Sequence, residues 1–425
     1  MFLSVIIPVL IIIVVMLAVG FPIYMALITT TIYLQVFVNQ MPLNNMFTGL
    51  ILSLTTNSLL AIPFFILAGN LMAVGTLGSR LMDVCRTYCK KLPGGLAMSG
   101  LGANAIFAAI SGSAPAAVAT FGRIIWDPLR EEYGEKEAAG LINTGSLLSV
   151  IIPPSIPIII FGLVSETSIA RLFLAGFIPG ILSIICIGIY LLVKYRKSTT
   201  DSFWVRGERT GALKRGIPAI LLPVIVLGGI YGGFCTPTEA GAIATMYALV
   251  VSLLVLRDVK PRQLPGVLLS TAKTVAVIFI LIATSNVFSQ ALAVTQAPRM
   301  LETILVDLSP IAFLLLVNVI LLILGLFLEP SPCILILTPL LLPAAVALGI
   351  DPIHFGIIFV INVAIGIITP PVGLCIFVAV DVLKRPMSLI ARGSIPYVVC
   401  YLIVLVLVTF IPGISMFLPR LLSGI

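Results

Sequence analysis

Two proline pairs mark where this chain could hold a cation. Pro153-Pro154 and Pro370-Pro371 each fall inside an apolar run long enough to cross a bilayer. Proline has no amide hydrogen and its ring displaces the preceding turn, so nearby carbonyls lose their helical partners. Freed carbonyl oxygens are hard ligands that suit Na⁺. Ser149 and Ser155 beside the first pair, and Thr369 beside the second, can add hydroxyls. Asn143, Thr144 and Asn362 put further polar groups into the same two segments. Two other apolar regions are interrupted, one by Ser111-Gly112-Ser113 and one by Glu329-Pro330-Ser331-Pro332. Each interruption is expected near one proline break, giving at least two cation sites. The expected Na⁺ ligands are Ser111, Ser113, Asn143, Ser149, Pro153, Glu329, Ser331, Gly366 and Thr369. The expected substrate contacts are Ser111, Gly112, Ser113, Pro154, Ser155, Ser331 and Pro371. The competing role for any of these hydroxyls is a bond back into its own helix.

Glu329 is the one carboxylate deep in an apolar region, and an intramembrane acid is a functional candidate by default. It can serve as a cation ligand, a proton carrier or an acceptor bracing the amides around it. Direct substrate contact is disfavoured if the substrate is an anion, because like charges repel. The acids from Glu131 to Glu137 are expected to be solvated, and His354 to be a surface or capping residue. Cys85 and Cys89 share a helix face, but no second pair or histidine completes a zinc site. No phosphate-binding G-x-x-x-x-G-K-[ST] loop and no Ser-His or paired-Asp constellation is present, which argues against an ATP-driven pump and against an enzyme.

The elements that must position these groups follow from composition. Of 425 residues, 60% are hydrophobic and 9% are charged, whereas a soluble domain carries about a quarter charged residues. The apolar runs do not alternate, so they predict helices rather than a barrel. Ten crossings are expected near 4–19, 21–38, 48–76, 138–163, 172–193, 217–234, 238–256, 264–296, 353–381 and 388–412. The stretch from Phe2 to Val19 lacks a basic leading region and is read as the first crossing rather than a signal peptide. The interrupted regions, about 94–126 and about 311–348, have short arms and are read as re-entrant hairpins. The net charge of +8 is lopsided in this topology. Basic residues at 80–91, 123–136, 194–215, 257–262 and 384–392 fall on one side, against Arg171, Arg299 and Arg420 on the other. The positive-inside rule makes the first side cytoplasmic and the N-terminus periplasmic.

The two halves repeat. Pro8-Val9 recurs 215 residues on as Pro223-Val224, and Asn70 recurs at 216 as Asn286. Pro115, Pro153-Pro154, Gly176 and Ile178-Pro179 recur at 217 as Pro332, Pro370-Pro371, Gly393 and Ile395-Pro396. Each half has five crossings, so the halves are inverted, as in many secondary transporters. The expected division is 1–197 for the first repeat, 198–215 for a basic cytoplasmic linker and 216–425 for the second repeat. The fold class is an all-α polytopic membrane protein with an inverted repeat and two hairpins. A channel would also need broken helices, but the paired hairpins favour a transporter.

With these features placed, the chain resembles the large membrane subunit of the TRAP (tripartite ATP-independent periplasmic) transporters, and is similar to its sialic acid branch. The resemblance rests on Ile62-Pro63-Phe64-Phe65 with Ala68-Gly69-Asn70, Ala108-Ala109-Ile110-Ser111-Gly112-Ser113, Ile152-Pro153-Pro154-Ser155, Thr236-Pro237-Thr238-Glu239-Ala240 and Thr369-Pro370-Pro371-Val372-Gly373. It implies an elevator mechanism, with a transport domain of about 94–163 plus 310–381 sliding against a scaffold of the remaining spans. It implies Na⁺-coupled uptake across a bacterial inner membrane of an organic acid, N-acetylneuraminate or alternatively a C4-dicarboxylate. It also implies two partners, a small four-helix membrane subunit and a periplasmic binding protein. The few outer-side charges, Glu166, Arg171, Glu239, Arg299, Glu302 and Asp307, are the expected docking points for the latter.

Overall fold

The computed structural model describes residues 2–196, 208–370 and 373–422, and the regular elements among them are all helices. Pro371, most of the expected linker and the last three residues lie outside the described residues. The first repeat opens with α1 (Phe2–Ala18) and α2 (Ile23–Tyr33), the latter continued by a π-helical segment, Leu34–Val38. Next come α3 (Leu43–Leu52), α4 (Ala61–Val74) and an amphipathic α5 (Leu77–Cys89). A hairpin of α6 (Gly95–Ser111) and α7 (Ala114–Tyr133) follows. A crossing in three pieces, α8 (Glu135–Gly145), α9 (Leu148–Ile151) and α10 (Ile156–Val164), leads to α11 (Ile169–Lys194).

The second repeat begins with α12 (Glu208–Tyr231) and α13 (Pro237–Val250), which again ends in a π-helical segment, Val251–Val255. The two π segments lie 217 residues apart, the offset of the prolines. Then come α14 (Leu264–Val294), a short α15 (Ala297–Leu305) and the second hairpin, α16 (Pro310–Gly325) with α17 (Pro330–Ala347). A broken crossing of α18 (Pro352–Ile367) and α19 (Leu374–Leu383) is followed by α20 (Met387–Phe410) and a terminal α21 (Gly413–Leu421). Among the described residues, eight helical stretches are long and apolar enough to cross a membrane. Exposed apolar side chains such as Phe37, Ile51, Val193 and Met246 give the outer surface the character lipid requires.

The expected crossing at 48–76 is two elements. Ser53 and Thr55 bond back to the carbonyls of Leu50 and Leu52 at 2.8 and 2.7 Å and end α3. Short polar side chains compete with the helix for its own backbone groups. The repeat partner α14 carries Ser270, Thr271, Lys273 and Thr274 in the corresponding stretch, yet continues as one helix.

Each repeat carries a pin at the corner where a long helix turns toward its hairpin. Asp258, just beyond the π segment of α13, accepts from the Thr76 amide and hydroxyl, both at 2.6 Å. Asn39, just beyond the π segment of α2, donates to the carbonyl of Ala291 near the end of α14 at 2.9 Å. A side chain thus supplies partners that a helix end lacks.

Packing gathers α6–α11 and α16–α21 around the two hairpins. α11 and α20, expected in the scaffold, both pack against the hairpin unit. A Cβ on Gly140 of α8 would lie 2.1 Å from the carbonyl oxygen of Gly393 on α20, so the two backbones touch. Asn143 Nδ2 donates to Ser394 Oγ at 2.8 Å, and Tyr401 Oη donates to the carbonyl of Thr144 at 2.9 Å. Gly176 of α11 sits against the carbonyl of Ile151 at the first break.

Glu137, expected to be solvated, is 8% exposed and accepts from Tyr397 Oη and Lys194 Nζ. Burial of a carboxylate demands such partners. Tyr397→Phe is expected to destabilise this body by about 2 kcal/mol, the net worth of a hydrogen bond to a charged group. Thermal unfolding in detergent measures it, and an unchanged midpoint would show that Lys194 alone suffices. His354 is also buried rather than at the surface, at 3% exposure, with Nδ1 2.7 Å from Ser415 Oγ on α21. Asp351 takes the capping role, accepting from the Ile353 amide at 2.8 Å.

Candidate functional site

Both hairpin tips and both broken crossings meet in one cleft of about 380 Å³. Gly112, Ser113, Ala114 and Pro115 line it from the first tip, and Glu329, Pro330 and Ser331 from the second. Val150, Ile156 and Pro157 come from the first break, Ile367 and Leu374 from the second, and α14 supplies Thr274, Val277 and Ile278. The hairpins therefore reverse at the depth of the helix breaks, which is why their arms need not span the bilayer.

Local sequence explains how the chain turns at this depth. At the first tip Gly112 has φ +57°, a left-handed conformation that side chains resist. A Cβ there would also lie 3.0 Å from the carbonyl oxygen of Pro154, so tip and break are in contact. Gly69 of α4 approaches the backbone of Ser111 as closely, at 3.0 Å for its virtual Cβ. At the second tip, a Cβ on Gly366 would be 2.3–2.5 Å from backbone atoms of Gly325. The end of α16 thus rests directly on α18.

The polarity of the cleft comes from backbone ends. Four helices begin at its wall: α7 at Ala114, α10 at Ile156, α17 at Pro330 and α19 at Leu374. Helix N-termini present unpaired amides and the positive end of the helix dipole. The cleft has no lysine or arginine in its lining, and Glu329 is its only charged side chain. Helices that end at the same level, α6 at Ser111, α9 at Ile151 and α18 at Ile367, direct their last carbonyls there. One ring of positive ends for an anion thus adjoins carbonyl ends for cations.

The expected ligands divide. Ser149 Oγ is fully buried and has no hydrogen-bond partner, which fits a group kept for a cation. Ser111 is buried at the tip with only a long bond, 3.3 Å, to the carbonyl of Ser113. Ser113 and Ser331 face the cleft. Pro153 and Pro154 are buried at the first break, and Gly366 at the second. Ser155 bonds the carbonyl of Val150 at 2.5 Å, and Thr369 bonds that of Ile365 at 2.7 Å, the back-bonding alternative for both. Asn143 Nδ2 donates to Ser394 on α20, while its Oδ1, the atom a cation would take, is buried with no hydrogen-bond partner among the described residues. Asn362 donates to Asn318 Oδ1 at 2.8 Å, and Asn318 donates to Thr409 Oγ1 at 3.0 Å, a network tying α18 to α16 and α20.

Glu329 stands at the N-cap position of α17 but its side chain makes no capping bond, so the bracing role does not hold. It makes no hydrogen bond or ion pair among the described residues and remains exposed to the cleft. Asn70 of α4, a repeat marker and part of the resemblance but not an expected ligand, lines a gap of about 60 Å³ beside Ser111 and Ser113. Its Nδ2 donates to Thr271 Oγ1 on α14 at 2.9 Å. The signal that could have found it is its recurrence as Asn286, since an asparagine repeated inside apolar helices serves packing poorly.

The docking candidates lie on the face opposite the basic loops. Glu166 and Arg171 are exposed at the α10–α11 corner and the start of α11, and Glu239 closes a capping box with Thr236. Arg299, Glu302 and Asp307 lie on or just after α15, with Glu302 half-buried.

Residues 10–414 match a model of the family described as tripartite ATP-independent periplasmic transporter, DctM component. The chain is similar to the C4-dicarboxylate TRAP transporter large permease protein DctM of Pseudomonas aeruginosa, at 41% identity over 86% of this chain and 87% of that protein. It is also similar to the sialic acid TRAP transporter large permease protein SiaM of Vibrio cholerae, at 35% identity over 95% and 96%. The solved structure of the Alcanivorax borkumensis YdaH transporter superposes with a TM-score of 0.63 at 16% identity, covering 88% of this chain and 90% of that one. At that identity the likeness speaks for the fold alone.

Proposed function

We propose a function from one premise: the chain belongs to the DctM component family of the tripartite ATP-independent periplasmic transporters. It is a large membrane permease rather than an enzyme. In our reading it carries a small organic carboxylate inward with Na⁺, across a bacterial inner membrane, with the basic face cytoplasmic and the N-terminus periplasmic. A small membrane subunit and a periplasmic binding protein complete the system, the latter docking on the face that carries Glu166 and Arg299.

The observation that supports this reading is the convergence of four helix N-termini on a cleft without a basic side chain. Such a site attracts a carboxylate only moderately, and Glu329 opposes it. A bound cation reverses that balance, because its charge adds to the helix ends. Na⁺ binding at the carbonyl ends and at Ser149 therefore favours the anion, and the anion favours Na⁺ by the same free energy. This reciprocity is what ion coupling requires.

Sequence analysis favoured sialic acid, but the greater identity is to a protein named for C4-dicarboxylates. Uptake into proteoliposomes of labelled succinate and N-acetylneuraminate, with and without binding protein and Na⁺, decides between them. The same assay tests the coupling: uptake is expected to saturate and to vanish when K⁺ replaces Na⁺. Ser149→Ala is expected to raise the Na⁺ concentration for half-maximal uptake about tenfold, the loss of roughly one good polar ligand. Ser111→Ala and Ser113→Ala should lower uptake with normal membrane insertion. Unchanged Na⁺ dependence in all three would place the cations elsewhere.

A further inference from the structure

A second cavity, of about 840 Å³, opens on the basic side of the cleft between α7, α4 and the start of α14. The two are joined through the small gap at Asn70, which shares Ser113 and Thr274 with the cleft and Asn70 and Ala116 with the larger cavity. Arg123 is the one charged side chain lining this vestibule. It stands nine residues beyond the start of α7 at Ala114, about 14 Å along the helix from the first tip.

Arg123 makes no hydrogen bond or ion pair with any described residue, and its side chain is exposed. The acid one turn further along α7, Asp127, is engaged at 3.0 Å by Arg130 instead. The wall around Arg123 is polar, with Thr120 on its own helix, Gln263 just before α14 and Ser270 on α14. Repeat symmetry does not impose this arginine, since position 340, 217 residues on, is Leu340. The cavity on the opposite face is lined by the repeat partner Asn286, and its one charged residue is the acid Glu166. The cavity joined to the cleft therefore carries a cation without partners among the described residues, and the cavity on the opposite face carries a carboxylate.

We propose that Arg123, with the polar wall facing it, is a second and weaker binding station for the organic anion, on the cytoplasmic side of the transport cleft. It deepens the carboxylate-uptake reading and rests on it for direction. A guanidinium free of internal partners pairs with a carboxylate in bidentate fashion. In an open, hydrated cavity that pairing is weak, so the anion is drawn out of the cleft and then released. Glu166 in the opposite cavity repels the anion and attracts Na⁺, so the two cavities favour different ligands.

The test uses the full chain with its native cysteines replaced and Ser270→Cys introduced across the vestibule. The rates of labelling by a sulfonate-bearing and by a trimethylammonium-bearing methanethiosulfonate are compared in detergent. With Arg123 the anionic reagent should be favoured about threefold to tenfold over the cationic one, relative to Arg123→Gln, as expected for a local potential in a cavity. Arg123→Lys should retain most of that preference. Millimolar succinate or N-acetylneuraminate should slow labelling in the arginine and lysine forms and not in the glutamine form, and glycerol should slow none. The same reagent ratio in the arginine form and in Arg123→Gln, or equal protection of both forms by the carboxylates, overturns the proposal. In proteoliposomes, the half-saturation for internal substrate in counterflow should rise in Arg123→Gln while that for external substrate stays unchanged. Failure of the uptake reading leaves the labelling result standing, so the two failures are distinguishable.

Discussion

Gly366→Ala is expected to reduce uptake at least a hundredfold while the protein still inserts. The virtual Cβ falls 2.3–2.5 Å from the Cα, carbonyl carbon and oxygen of Gly325, all backbone, so no flexible side chain can give way. Separation of α16 from α18 by about an ångström is the remaining relief, at a stability cost of roughly 1–3 kcal/mol. That cost alone need not unfold the chain. The shift acts on the second tip, which begins at Glu329 four residues beyond the end of α16, and on the second break that follows Gly366. A misplacement of about 1 Å at a binding constellation costs on the order of 10² in rate. Gly228→Ala, in α12 with nothing within 4 Å of its virtual Cβ, is the matched control and should transport normally. Normal uptake by Gly366→Ala would falsify the role given to the contact between the second tip and α18.

The second large effect concerns motion. Ser113 on the first tip and Thr274 on α14 line the same gap of about 60 Å³. In a cysteine-free background, Ser113→Cys with Thr274→Cys should be bridged by a short bifunctional thiol reagent, and bridging should stop uptake. The reasoning is that polar tips cannot be exposed to lipid, so alternating access requires the hairpins to move as a body against α4, α13 and α14. A bridge between tip and α14 ties the body to that frame. The yield of bridging should change when Na⁺ and substrate are added, since ligands shift the balance between states. Efficient bridging with uptake intact would mean a stationary site with local gating. Gly140 against Gly393 and Tyr401 against Thr144 pack α20 onto the hairpin unit, so a moving unit is expected to include α20.

Sequence alone determined the helical membrane class, the inverted repeat and the position of both tips. Each of these is written in local chemistry. Apolar runs of bilayer length force helices. Proline pairs break them wherever they occur. Ser111-Gly112-Ser113 and Glu329-Pro330-Ser331-Pro332 reverse the chain through glycine's left-handed backbone or proline's missing donor.

Only the tertiary structure decided what those features touch. Glu137 reads as a surface acid in a charged stretch, and becomes a buried acceptor because Tyr397, 260 residues away, points at it. His354 reads as a helix-start residue and becomes buried because α21 folds over it through Ser415. Asn143 reads as a cation ligand, and Ser394 takes its amide nitrogen while its Oδ1 stays unpaired among the described residues. Thr369 and Ser155 lie at the right places, yet bond backbone carbonyls close by in the chain. Arg123 reads as one more basic residue of a cytoplasmic loop, and lines a vestibule because α7 turns that face toward α14. Hydropathy and proline spacing are local and survive without partners. The pairing of polar groups depends on which distant helix arrives, and in a chain with so few charged residues each arrival changes the role of the group it meets.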